Sequence, residues 1–123
     1  DRVRALAKAS GAEPLSLEQA CSRHFNVLVH ATPLGMFPKT DECFFPDTIP
    51  ADVVFDMVYN PLDTLLLKRA REQGKIVVTG MAMFLEQAVH QFETWTGESA
   101  PRSVMERAGI EALRHCANGG NSK

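Results

Sequence analysis

The sequence predicts an α/β fold built on a parallel sheet. Residues 25–31 (FNVLVHA), 52–58 (DVVFDMV) and 75–79 (KIVVT) are short, nearly continuous runs of β-branched and aliphatic residues. That is the pattern of strands covered on both faces. Amphipathic segments of helical period lie between the second and third runs and after the third. Strands alternating with helices give βαβ units, whose right-handed crossovers leave ligands outside the carboxyl ends of the strands.

Taken in order, residues 1–10 (DRVRALAKAS) carry a helical stripe of Val3, Leu6 and Ala7, with Gly11 where a helix stops. The chain opens on this helix with no leading methionine or loose tail, so it is expected to be cut from something longer. Residues 13–15 read as a very short strand. Ser16 and Gln19 match a capping box that starts a short helix ending near His24. After the first strand, residues 37–50, rich in proline and polar residues, read as a surface loop tucked down by Phe44 and Phe45. Residues 61–74 form a helix with Leu62, Leu66 and Ala70 on one face and Gly74 as its stop. Residues 79–97 form another, with Met81, Phe84, Leu85, Ala88, Phe92 and Trp95 as its apolar stripe. Pro101 is placed as the first residue of a last helix with Val104, Met105, Ala108, Ala112 and Leu113 inward. Residues 1–116 are expected to form one domain and 117–123 a disordered tail.

With 123 residues and 45% apolar content, one domain or part of one is all the length allows. A net charge of -2 gives no basic patch for nucleic acid or an anionic membrane. No apolar run approaches the roughly 20 residues that span a bilayer. Three unpaired-looking cysteines fit a reducing compartment, so a cytoplasmic protein with free thiols is expected. His24, His30, His90 and His115 fall at no metal-ligand spacing with the cysteines or each other, and no metal site is expected. Glu86 and His90 read as a solvated i,i+4 pair, and Lys68, Arg69 and Arg71 with Glu72 as a solvated face.

The unusual residues collect at the carboxyl ends of the three strands: Thr32-Pro33-Leu34-Gly35-Met36, Tyr59-Asn60-Pro61 and Gly80-Met81-Ala82-Met83. Gln87 stands one helical turn beyond Met83, so a flat apolar ligand over Met83 would bring its polar substituent within reach of the Gln87 amide. Alternatively Gln87 only edges the buried stripe and bonds a loop. Gly80 serves either a close backbone approach to a ligand or a tight strand-to-helix turn.

Three stretches together, HATPLGM at 30–36, DMVYNPLDTLLLKRA at 56–70 and GMAMFLEQA at 80–88, closely resemble the carboxyl-terminal half of shikimate dehydrogenases, including those fused to dehydroquinate dehydratase. They follow the family's order and spacing, and RVRALA at 2–7 resembles the helix after its phosphate-reading signature. The resemblance implies a partial Rossmann-like parallel sheet flanked by helices, lacking the first strands and the phosphate-binding loop. It implies NADP as cofactor and hydride transfer between 3-dehydroshikimate and shikimate in aromatic amino-acid biosynthesis. By position, it places Thr32, Met57, Gly80 and Met83 along the cofactor and gives Gln87 and Tyr59 to the substrate. The catalytic Lys and Asp pair of the family belongs to an amino-terminal substrate domain, so no catalytic residue is expected here and the isolated chain is expected to be inactive.

His30 stands where Asn is usual and Ala82 where Gly is common. His30 either bonds the same neighbours as Asn or is a satisfied strand-end histidine, and it leaves open a shift towards quinate. The rival expectation from another class is a non-catalytic, truncated oligomerisation module. An exposed edge at residues 25–31 would favour self-association of the isolated chain.

Overall fold

The computed structural model describes residues 2–119. Its elements are α1 (Arg2–Ser10), α2 (Leu17–Cys21), β1 (Phe25–His30), β2 (Ala51–Asp56), α3 (Leu65–Glu72), β3 (Ile76–Val78), α4 (Gly80–Thr96) and α5 (Arg102–Gly119). The three strands form one parallel sheet in the order β1-β2-β3. Phe25 lies opposite Ala51 and His30 opposite Asp56, while Val53 to Phe55 pair with Ile76 to Val78. No helix among the described residues is long and apolar enough to cross a membrane.

Side chains alternate across a strand, so this register sorts the sheet into two faces. Leu28, His30, Val54, Asp56 and Val77 share one. It is covered by α3, which buries Leu66 and Ala70, and by the segment between β1 and β2, which buries Phe45 and Ile49. That segment is pinned to α3 by three hydrogen bonds. The Arg69 guanidinium donates to the Phe45 carbonyl, and the Gln73 amide donates to the Asp47 carbonyl while accepting from the Ile49 N–H. Arg69 therefore serves as a tether rather than part of a solvated face, and Arg71 pairs with Asp63.

The opposite face corrects the expectation of strands covered on both sides. Val27 and Val29 are each 54% exposed, and Ile76 is 66% exposed. The apolar runs are genuine strands, but that face is covered only in part: Ala51 is buried and Val53 and Phe55 half-buried, while the valines of β1 and Ile76 of β3 stay in solvent. In the same way α1 buries only Ala7 and leaves Val3 and Leu6 in solvent. The short strand expected at residues 13–15 does not form. A strand needs a neighbour to take its N–H and C=O groups, and instead Glu13 is held by a two-pronged ion pair with Arg23.

Helix boundaries follow their caps. Ser16 and Gln19 make the reciprocal capping box of α2. The Thr64 hydroxyl accepts from the Leu67 N–H, so α3 begins at Leu65, and Leu62 precedes the helix instead of belonging to its stripe. Thr79 caps α4 and Gly97, in the left-handed region, ends it. On α4 only Gly80, Met81 and Leu85 are fully buried; of the rest of the expected stripe Ala88 and Phe92 are half-buried, while Phe84 is exposed and Trp95 is 78% exposed. α5 packs back on α4 with Gly109 against the tip of Met81, and Arg102 pairs with Glu86, which is thus not the partner of His90. Of its expected inward residues, Met105 and Leu113 are half-buried and Val104 is exposed. α5 continues to Gly119, past the expected start of the tail at residue 117; the remainder of that tail, residues 120–123, lies outside the described residues.

Candidate functional site

The three parallel strands end on one rim, and each delivers a different element there: the loop from Thr32 after β1, Met57 to Asn60 after β2, and the amino terminus of α4 after β3. A cleft of about 450 Å³ opens between the first two, lined chiefly by Thr32, Met36, Phe37, Met57, Tyr59 and Asn60. Its walls are mostly apolar, with a few polar groups, which is the usual make-up of a small-molecule site.

Three of the residues expected from the sequence, Thr32, Met57 and Tyr59, line this cleft. The α4 residues stand beside it. A Cβ on Gly80 would lie 2.4 Å from the Val58 carbonyl oxygen and 2.6 Å from that of Met57, so the start of α4 is pressed directly onto the end of β2. The Tyr59 ring stacks on Phe84 with centroids 5.3 Å apart, tying the cleft wall to the second turn of the helix. Met83 is half-buried and Gln87 exposed one turn further on, outside the lining of the cleft itself. The close packing of Gly80 supplies a reason for its glycine that needs no ligand.

Beneath the rim lies a buried polar cluster that spacing alone does not show. His30 and Asp56 are register partners at the ends of β1 and β2, so their side chains stand together on the covered face. Both are buried, as is Thr64. The His30 Nδ1 lies 2.9 Å from Asp56 Oδ1, and its Nε2 lies 2.7 Å from the Thr32 hydroxyl. Asp56 also accepts from the Val58 N–H at 3.0 Å and from the Thr64 hydroxyl at 2.5 Å. Phe44 closes the cluster, edge-on to the imidazole. His30 is therefore a satisfied strand-end histidine, and no buried side-chain nitrogen or oxygen among the described residues lacks a partner. Asp56 and Thr64 carried a signal in the sequence: a carboxylate inside an apolar strand must find donors, but their identity depends on the register.

Burial pushes the Asp56 carboxyl up, but the hydrogen bonds from His30, Thr64 and Val58 outweigh it and hold the group below the usual aspartate range. A carboxyl depressed in the folded state adds stability that is complete above its unfolded pKa of about 3.9 and vanishes as the pH falls through the folded value. Denaturation midpoints are thus expected to decline below about pH 4 in the native protein. That part of the decline should disappear in Asp56→Asn; an unchanged acid limb would show that Asp56 does not drive it.

A parallel sheet whose strand ends deliver two loops and a helix amino terminus to one rim is the carboxyl-terminal part of a Rossmann-like domain. A family model described as the shikimate 5'-dehydrogenase C-terminal domain matches residues 80–108. The chain is 40% identical over 120 residues to a shikimate dehydrogenase (NADP(+)) of Methanopyrus kandleri, covering 93% of this chain and 40% of that protein. It superposes on the shikimate 5-dehydrogenase of Thermus thermophilus, solved with NADP(H) and shikimate, with a TM-score of 0.70 and 34% identity over 93% of this chain and 42% of that one. A chorismate mutase/shikimate 5-dehydrogenase fusion protein from Clostridium acetobutylicum matches with a TM-score of 0.75 and 27% identity, covering 86% and 42%. The chain thus matches the carboxyl-terminal part of shikimate dehydrogenases and spans about 40% of the length of the curated relatives it matches. Among the described residues no cluster of His, Cys, Asp and Glu could hold a metal ion.

Proposed function

We propose that these residues form the nicotinamide side of an NADP-dependent shikimate dehydrogenase, which interconverts 3-dehydroshikimate and shikimate. The observation that carries this reading is the cleft at the strand ends with α4 beginning beside it. Its lining fits a flat, weakly polar ring: Met36, Phe37 and Met57 offer apolar contact, and Thr32 and Asn60 offer hydrogen bonds. No lysine or arginine lines it, so a phosphate would be held elsewhere. When bound, the cofactor supplies the hydride. The chain's own part is to position: Thr32 and Met57 border the ring, Gly80 and Met83 bring the start of α4 against it, and Gln87 and Tyr59 face the substrate. The Gln87 amide both donates and accepts, and the Tyr59 phenol does the same, which suits a polyhydroxylated ring acid.

The proton-transfer pair of the family belongs to its substrate domain, so residues 1–123 alone are expected to show no NADP-dependent turnover of shikimate. Joining them to the upstream part of a relative should restore it. The open edge of β1 and the uncovered face at Val27 and Val29 are surfaces that such a part would cover, and in its absence they favour self-association. Free thiols such as Cys21 and Cys43 suit a cytoplasmic enzyme.

In the restored enzyme, Gln87→Ala is expected to raise KM for shikimate about tenfold, the worth of roughly one hydrogen bond to a ligand, with KM for NADP unchanged. A rise in the cofactor KM alone would overturn the substrate assignment. Competition between shikimate and quinate then fixes the preferred substrate.

A further inference from the structure

We propose that His30 is a positioning residue for the cleft wall: anchored on Asp56, it draws the Thr32 hydroxyl proton inward and thereby fixes the loop of residues 32–36. The imidazole is only 6% exposed and lies against Phe44, so both ring nitrogens must be satisfied within the protein. Nδ1 faces Asp56, a carboxylate that can only accept, which puts the ring proton on Nδ1. With the imidazole neutral, Nε2 is then an acceptor, and the group it meets is the Thr32 hydroxyl, 2.7 Å away. The Thr32 oxygen in turn accepts from the Leu34 N–H at 3.3 Å, which turns the chain towards Met36 and Phe37 in the cleft.

The consequence is chemical as well as geometric. Thr32 is exposed at the cleft but its proton is engaged inward, so it shows a ligand its methyl group and a remaining lone pair. A ligand group set against Thr32 must be apolar or an N–H or O–H donor. The amide N–H₂ of a carboxamide qualifies and a carboxylate does not. This preference rests on the cleft being the cofactor's ring site; the tether itself does not.

The two nitrogens can be separated by substitution. Asn at position 30 keeps a donor where Nδ1 stands and cannot reach Thr32, whereas Gln reaches the Nε2 position and leaves Asp56 one donor short. Hydrogen–deuterium exchange on the purified protein, read at the amides of Leu34 and Met36 together with the denaturation midpoint, tests this without any cofactor. His30→Asn is expected to speed exchange in residues 32–36 by tenfold or more while the midpoint stays near that of the native protein. His30→Gln is expected to keep exchange slow while the midpoint falls. Nitrogen-15 spectra of the native imidazole should show Nδ1 protonated and Nε2 bare. A proton on Nε2, or the two variants changing both readouts alike, as a merely space-filling histidine would give, overturns the proposal. Because exchange is read without ligand, its failure is distinct from failure of the NADP reading, which would show as absent cofactor dependence in the restored enzyme.

Discussion

Gly80→Ala is expected to destabilise the fold by about 2 kcal/mol or more, although helix propensity alone favours alanine over glycine by about 1 kcal/mol. The added Cβ would lie 2.4 and 2.6 Å from the carbonyl oxygens of Val58 and Met57. Those atoms belong to backbone at the end of β2 and cannot swing aside as a side chain would. Relief requires α4 to back away from the sheet, which would also part the Tyr59 and Phe84 rings and widen the cleft. For a chain of this size the midpoint of thermal unfolding should fall by about 8 °C or more, at roughly 4 °C per kcal/mol. Gly109→Ala is the control: its Cβ meets only the flexible tip of Met81 at 2.7 Å, so the methyl can be accommodated by a rotamer change. Equal midpoints for Gly80→Ala and the native protein would show that the close approach is not rigid.

The second large effect is expected at Asp56. Removing its carboxylate with Asp56→Ala leaves the His30 ring, the Thr64 hydroxyl and the Val58 N–H without their acceptor in a buried place. Breaking a buried charged cluster from one side costs about 3–5 kcal/mol, because the remaining polar groups stay desolvated. The loss should exceed that of Thr64→Val, which removes one donor to Asp56 and the cap of α3, and which is expected to cost about 1–2 kcal/mol. Urea denaturation at neutral pH orders the three proteins. If Asp56→Ala costs no more than Thr64→Val, the carboxylate is not the hub of the cluster.

Much of this architecture is legible in the residues themselves. The β-branched runs at 25–31, 52–58 and 75–79 mark the strands, the capping box at Ser16 marks α2, and glycines 74 and 97 mark helix ends, because each signal is local to a few residues of backbone. The parallel order and the shared rim follow from strands alternating with helices. Thr32 and Tyr59 could be placed on that rim because a strand's carboxyl end is fixed once the strand is found, whereas Met57, read as part of the second strand, came to the site only through the family resemblance. Gln87 and Met83 could be placed on one side of α4 but not against the cleft, since helical period gives a face and not a distance.

What the residues could not supply is whatever depends on partners distant in the chain. Apolar strands read as doubly covered, yet Val27, Val29 and Ile76 face solvent, because a hydrophobic run states what it can bury and not what is present to bury it. The sequence by itself determined the three main strands, the helices between and after them, the parallel sheet and the resemblance to a family. Only the tertiary structure decided that His30 stands opposite Asp56, that Thr32 and Thr64 complete their hydrogen bonds, and that Gly80 touches the backbone just after β2. The physical reason is that propensity and period act between near neighbours, whereas register and close packing join residues such as His30 and Asp56 across two strands, where one slipped position would turn one of them to the opposite face.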